Sequence, residues 1–265
     1  MIVHRDAAAV VQDVVARLIA VLSVRQAAAS PVHISVTGGG MGQALWPALL
    51  EQPGVDAVDW TGVHVWFSDE RFVPSGHQER NDGAVLRVAS GLGLPVANVH
   101  SVPGPEGGSL DSAAAAYAAD LAAWAPPGAA IAAPVFAVSV LGVGPDGHVA
   151  SLFPHCAVDE SATAVAVDNS PKPPPQRVSF TRSVLRHCDQ LWFLAVGAAK
   201  ADAVRRALAG DDPSRTPAAG LAGQHATLWF VDEELVASLE SRVEPVERGL
   251  GSSKPAVIRT TRTVP

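Results

Sequence analysis

The segment LGVGPDGHVASLFP, residues 141–154, places Asp146 and His148 two residues apart inside a glycine-rich run. An imidazole titrates near neutral pH and can take a proton from water, and a neighbouring carboxylate can fix its orientation. The same segment reads G-x-G-x-x-G through Gly142, Gly144 and Gly147, the spacing of a dinucleotide-binding turn. Asp146 argues against that use, because it would set a carboxylate beside a bound pyrophosphate. On these residues alone two readings stay open. One is a turn that aims a catalytic His148; the other is a turn whose histidine is polar surface.

Three further clusters carry groups suited to an anionic ligand. SDERFVP (68–74) presents Asp69, Glu70 and Arg71 together. They read either as a structural ion-pair network or as Arg71 gripping an anionic group while Asp69 orients Arg71 or sugar hydroxyls. TGGG (37–40) offers the backbone N–H groups of Gly38 and Gly39 to an anion or oxyanion. Before residue 241 the chain has only two lysines, Lys172 and Lys200. Lys200 falls on the first turn of an expected helix, where it and the helix N-terminus can hold a phosphate, and Arg177 can supply a second cation. No G-x-S-x-G elbow, G-x-x-x-x-G-K-[ST] loop or H-E-x-x-H motif occurs, which removes the serine hydrolase, P-loop and zincin readings.

These residues need elements to position them. Val10, Val11, Val14, Val15, Leu18, Ile19 and Leu22 recur at helical spacing and predict an opening helix from near Asp6. VHISV (32–36), VHVWF (63–67), VFAVSVLG (135–142), LWFLAV (191–196) and ATLWFV (226–231) read as strands. Helices are expected at 41–50, weakened by Pro47, and at 81–90, 112–124, 198–209 and 232–240. Alternating strands and helices predict an α/β domain, a mainly parallel sheet flanked by helices on both faces. Ligands of such sheets bind beyond the C-terminal strand ends, where the polar clusters fall. PKPPPQR (171–177) reads as a stiff surface connection. The expected organisation is one domain over 1–240, followed by a 241–265 extension without a core role and open to disorder.

Composition limits the partners. In a chain of 265 residues the net charge is −7, which disfavours a general nucleic-acid binder but not a small phosphorylated ligand. The two cysteines, Cys156 and Cys188, form no C-x-x-C pair, so neither a disulfide framework nor a zinc ribbon is expected. Asp6, Gln12 and Asp13 interrupt any signal-peptide pattern, and the prolines and Asp120 within 111–141 break up a membrane span. The expectation is a cytoplasmic monomer with no membrane or nucleic-acid partner and no metal.

In this order, TGGG (37–40), SDERFVP (68–74) with Asn81, LGVGPDGHVASLFP (141–154), SPKPPPQRVSFT (170–181) and FLAVGAAKADAV (193–204) resemble the 6-phosphogluconolactonase family over about residues 1–240. The resemblance implies an α/β, Rossmann-like sheet and hydrolysis of 6-phosphogluconolactone to 6-phosphogluconate in the oxidative pentose phosphate pathway, without a cofactor. It implies His148 as general base, Asp146 as its orienting carboxylate, and Arg71, Arg177 and Lys200 around the phosphate. Gly38, Gly39 and Asp69 fall near the sugar. The related glucosamine-6-phosphate isomerases (deaminases) continue a similar turn with Asn-Glu-Pro. Here Ser151-Leu152-Phe153-Pro154 supplies no carboxylate at that place, which favours the lactonase. Gly40-Met41-Gly42 departs from the Ser or Arg followed by Thr-Pro of many lactonases, which puts a hydroxyl contact from that loop in doubt. A non-catalytic sugar-phosphate sensor on the same fold is the remaining alternative.

Overall fold

The computed structural model describes residues 1–241 and the two-residue strand Thr261–Arg262. In chain order the elements begin β1 (Ile2–His4), α1 (Ala7–Ala28), β2 (Val32–Val36), α2 (Gly39–Glu51), β3 (Val63–Phe67) and β4 (Asp69–Arg71). They continue α3 (Asp82–Leu92), β5 (Val99–His100), α4 (Leu110–Ala123), β6 (Phe136–Gly142), β7 (Ala164–Val167) and β8 (Arg177–Phe180). The last are α5 (Arg182–Leu185), β9 (Cys188–Ala195), α6 (Ala201–Leu208), β10 (Ala226–Asp232), α7 (Glu233–Glu240) and β11 (Thr261–Arg262).

The main sheet runs β11-β1-β10-β9-β6-β2-β3-β5 with every pairing parallel. A parallel sheet covered on both faces buries every position, so its strands read as continuous apolar runs. β9 shows this: Leu191, Phe193 and Ala195 enter one core, Trp192 and Leu194 the other. One face is packed by α1, α2 and α3, the other by α4, α6 and α7. The second face also carries a small antiparallel sheet, β4-β8-β7, which the sequence reading did not anticipate.

α1 starts where expected, because the Asp6 carboxylate accepts from the Ala9 N–H at 2.8 Å and caps the first turn. By length and composition α1 is apolar enough to cross a membrane. Its Val10, Val14, Leu18 and Leu22 are packed into the core. α2 runs through Pro47 rather than ending there, and it opens two residues earlier than expected, at Gly39. No helix follows β6. Residues 143–163 form an irregular segment with a bridge between Val149 and Leu152, and the chain then enters β7. The SDER run does not simply end a strand: Asp69–Arg71 is β4, registered so that Asp69 faces Ser179 and Arg71 faces Arg177. In the C-terminal extension, Thr261–Arg262 pairs with β1 at the sheet edge. The rest of the extension lies outside the described residues.

From β2 the chain steps through β3 and β5 to one edge; from β6 it steps through β9 and β10 toward the other. The reversal falls between β2 and β6, where the segments leaving adjacent strands diverge and open a crevice. TGGG leaves β2 and GVGPDGH leaves β6, so both glycine-rich turns meet at this point.

Candidate active site

The crevice holds a cavity of about 290 Å³. Seven of the eight residues named above line it: Gly38, Gly39, Asp69, Arg71, His148, Arg177 and Lys200. Asp146 stands behind His148, its Oδ1 2.5 Å from the imidazole Nδ1. With Nδ1–H given to the carboxylate, Nε2 is left as the acceptor of the ring. Burial pushes the Asp146 carboxyl up. The hydrogen bond and charge of His148, with a smaller contribution from Lys172, outweigh it and bring the carboxyl down to about 2. The loop itself is braced from α6, where Arg206 Nη2 donates to the Asp146 carbonyl at 3.2 Å.

The glycine spacing that suggested a nucleotide turn has another cause. A Cβ on Gly144 would stand 2.0 Å from His148 Nδ1 and 2.5 Å from Asp146 Oδ1. Gly144 leaves the room that the Asp–His pair occupies. Its amide also donates to the His148 carbonyl at 2.9 Å, closing the turn.

At the opposite wall, α2 begins without a side-chain cap, Gly38 being its N-cap residue. An uncapped helix start leaves N–H groups free for an anion or oxyanion. Gly38 also lies against Asn81: a Cβ there would fall 1.8 Å from Asn81 Oδ1. Asn81 is held by two partners. Its Nδ2 donates to the Asp69 carbonyl at 2.8 Å, and its N–H donates to the buried Glu70 carboxylate at 2.8 Å. Glu70 also accepts from the Asp82 and Arg71 N–H groups, so one carboxylate ties β4 to the start of α3.

The acids and cations divide differently from the sequence expectation. Asp69 does not orient Arg71; its Oδ2 accepts from the Ser151 hydroxyl at 2.7 Å and faces Arg177 Nη1 at 3.7 Å. Arg71 is held from outside, Nη1 donating to the Glu79 carbonyl at 2.5 Å. Arg177 opens β8 and folds back on the Pro-rich loop, with Nε donating to the Pro174 carbonyl at 2.8 Å. PKPPPQR is therefore part of the site wall, with Lys172 and Pro173 lining the cavity, rather than a plain surface connection. Lys200 ends a 3-10 turn and precedes α6. Burial lowers its pKa, the Lys172 charge lowers it further, and Asp232 works the other way.

Four contributors were missed as site residues: Asn81, Ser151, Phe153 and Lys172. Asn81, Ser151 and Phe153 belonged to quoted motifs but had no chemistry of their own to flag them. Lys172 was visible as one of two lysines and within PKPPPQR, a run that reads as a surface connection. Phe153 packs on His148 with ring centroids 4.9 Å apart. Among the described residues no group of three or more His, Cys, Asp or Glu side chains is arranged to hold a metal ion.

The family described as glucosamine-6-phosphate isomerases/6-phosphogluconolactonase matches residues 5–230. A 6-phosphogluconolactonase of Streptomyces coelicolor is 41% identical over 251 residues, covering 92% of this chain and 96% of the relative. That of Mycobacterium tuberculosis is 41% identical over 231 residues, covering 85% of this chain and 92% of the relative. The crystal structure of 6-phosphogluconolactonase from Thermotoga maritima superposes with a TM-score of 0.74 at 25% identity, covering 88% of this chain and all of that one. In sequence over nearly its whole length, and in the sheet that carries the cavity, the chain belongs to the 6-phosphogluconolactonase family.

Proposed function

We propose that the cavity binds 6-phospho-D-glucono-1,5-lactone and opens it to 6-phospho-D-gluconate, with His148 as the base that activates water. The observation that carries this reading is the Asp146–His148 pair, its imidazole on the wall of a cavity that Arg71, Lys172, Arg177 and Lys200 also line. Lactone opening needs a nucleophilic water, stabilisation of the developing oxyanion and a proton for the leaving ring oxygen. Nε2 of His148 takes a proton from water as its oxygen attacks the lactone carbon. The C–O bond to the ring oxygen then breaks, and the imidazolium returns its proton to that oxygen. Asp146 stays ionised throughout and holds the ring. The N–H groups of Gly38 and Gly39 at the start of α2 face the developing negative charge. Every one of these groups comes from a single chain, so a monomer suffices for the chemistry.

The test uses lactone generated in place by glucose-6-phosphate dehydrogenase, with its disappearance followed on adding the protein. Opening faster than the spontaneous rate is expected; a rate equal to that background refutes the reading. His148→Ala should lower turnover about 10²–10⁴-fold while 6-phosphogluconate still binds. Near-normal turnover in that variant removes His148 as the base. The lack of a carboxylate in Ser151-Leu152-Phe153-Pro154 supports hydrolysis over isomerisation, and ammonia release from glucosamine 6-phosphate would reverse that preference.

A further inference from the structure

We propose that Lys172 is the cation that the Pro-rich loop delivers to the substrate's phosphate monoester, and that Arg177 is its positioning residue rather than the loop's main phosphate ligand. The identity of the phosphate rests on the function proposed above.

The donors of Arg177 are largely spent. Nε donates to the Pro174 carbonyl at 2.8 Å, and Nη2 reaches the Lys172 and Pro173 carbonyls at 3.2 Å each. Nη1 faces the Asp69 carboxylate at 3.7 Å. A guanidinium with five N–H groups cannot offer a bidentate edge to phosphate while three of them hold the chain and the remaining nitrogen faces a carboxylate. Its geometry instead gathers three successive carbonyls, residues 172–174, around one planar group. That is an anchor for a loop.

What the anchor fixes is Lys172. Its carbonyl takes Arg177 Nη2 on one side and the Ser170 hydroxyl at 2.9 Å on the other, and its N–H donates to that same hydroxyl at 3.2 Å. Prolines at 173, 174 and 175 restrict φ immediately downstream. The backbone is thus set, while the side chain is exposed and lines the cavity. Its charge bears on both Asp146 and Lys200, and Lys200 lines the same cavity. The carboxylate whose field touches Lys200, Asp232, is already occupied by the Gly197 and Leu235 N–H groups. Two ammonium groups converging on one cavity repel unless an anion lies between them. A phosphate dianion supplies that charge; a neutral sugar does not. Presenting Lys172 on a pre-set loop also reduces the ordering cost of closing a long side chain on the ligand.

The experiment measures binding of 6-phosphogluconate and of gluconate by calorimetry to the wild type, Lys172→Ala and Lys172→Arg. It is paired with kcat/KM on 6-phosphogluconolactone and on unphosphorylated glucono-δ-lactone. Lys172→Ala should weaken 6-phosphogluconate about 10–100-fold, lower the phosphorylated-to-unphosphorylated kcat/KM ratio by a similar factor, and act mainly through KM. Lys172→Arg should restore most of the ratio. An unchanged ratio in Lys172→Ala, or a parallel loss for both compounds, overturns the assignment. Binding is read without turnover, so the two readings can fail separately. Wild type that binds 6-phosphogluconate but opens no lactone refutes the hydrolase and still tests Lys172. Wild type that does not bind 6-phosphogluconate overturns both.

Discussion

At the scale of single residues, the site is built from clearances as much as from charged groups. Gly144 makes the point: its missing Cβ is the space in which His148 and Asp146 meet. Gly144→Ala must therefore push the imidazole off its carboxylate, and a base held in the wrong place loses most of its advantage. Turnover should fall about 10²-fold or more, with 6-phosphogluconate affinity little changed because the cations stay put. If kcat survives the substitution, the pair tolerates displacement and its geometry is not what supports turnover. His148 and Asp146 were legible in the sequence because Asp-Gly-His after a buried strand is a rare grouping of chemical types. Lys172 was not, because its importance comes from carbonyls gathered by Arg177. Backbone carbonyls leave no trace in a sequence.

At the scale of elements, the alternation of strands and helices was readable because both faces of the parallel sheet are covered, making long apolar runs. The three-residue strands β1 and β4 were not, being too short for any period to show. β4 matters most for the site, since its pairing with β8 brings Asp69 near Arg177. What fixes β4 to α3 is the Glu70 carboxylate. One oxygen accepts from the Arg71 and Asn81 N–H groups, the other from the Asn81 and Asp82 N–H groups. Glu70→Gln keeps the size but turns an NH₂ toward backbone donors. Whichever way the amide is placed, at least one N–H loses its acceptor in a site with no water access. The expected cost is about 1–3 kcal/mol in a denaturant titration, with lower activity as Asn81 and Asp69 drift. A variant as stable as the wild type would mean that the carboxylate is not what joins the two elements.

At the scale of the whole molecule, the sheet carries a second polar feature away from the cavity. In the edge half of the sheet His33 on β2 is registered with His64 on β3, and His100 on β5 with Trp66 on β3. Trp66 Nε1 donates to His33 Nδ1 at 3.0 Å, His64 Nδ1 meets His100 Nε2 at 2.9 Å, and His100 Nδ1 meets the Asp120 carboxylate at 2.7 Å. Trp124 packs edge-on against His33 and His100 and tilted against His64. Burial first, then the charges of His64 and His100, lowers His33 to about 3; burial and then the charge of His100, partly offset by Asp120, lowers His64 to about 4. In the unfolded chain both return to the ordinary histidine range near 6.5. Between these limits the unfolded state binds protons that the native state refuses, so stability rises with pH there. The contribution is complete above about pH 6.5 and is lost progressively as pH falls toward 4 and 3. Between pH 7 and pH 5 each of the two histidines should withdraw about 2 kcal/mol of stability. Urea midpoints at those two pH values measure the loss. His64→Gln keeps a polar side chain of similar size but cannot titrate, and it removes one neighbour that holds His33 down. Its midpoint should shift less with pH than that of the wild type. An equal shift in both proteins would place the acid sensitivity elsewhere in the fold.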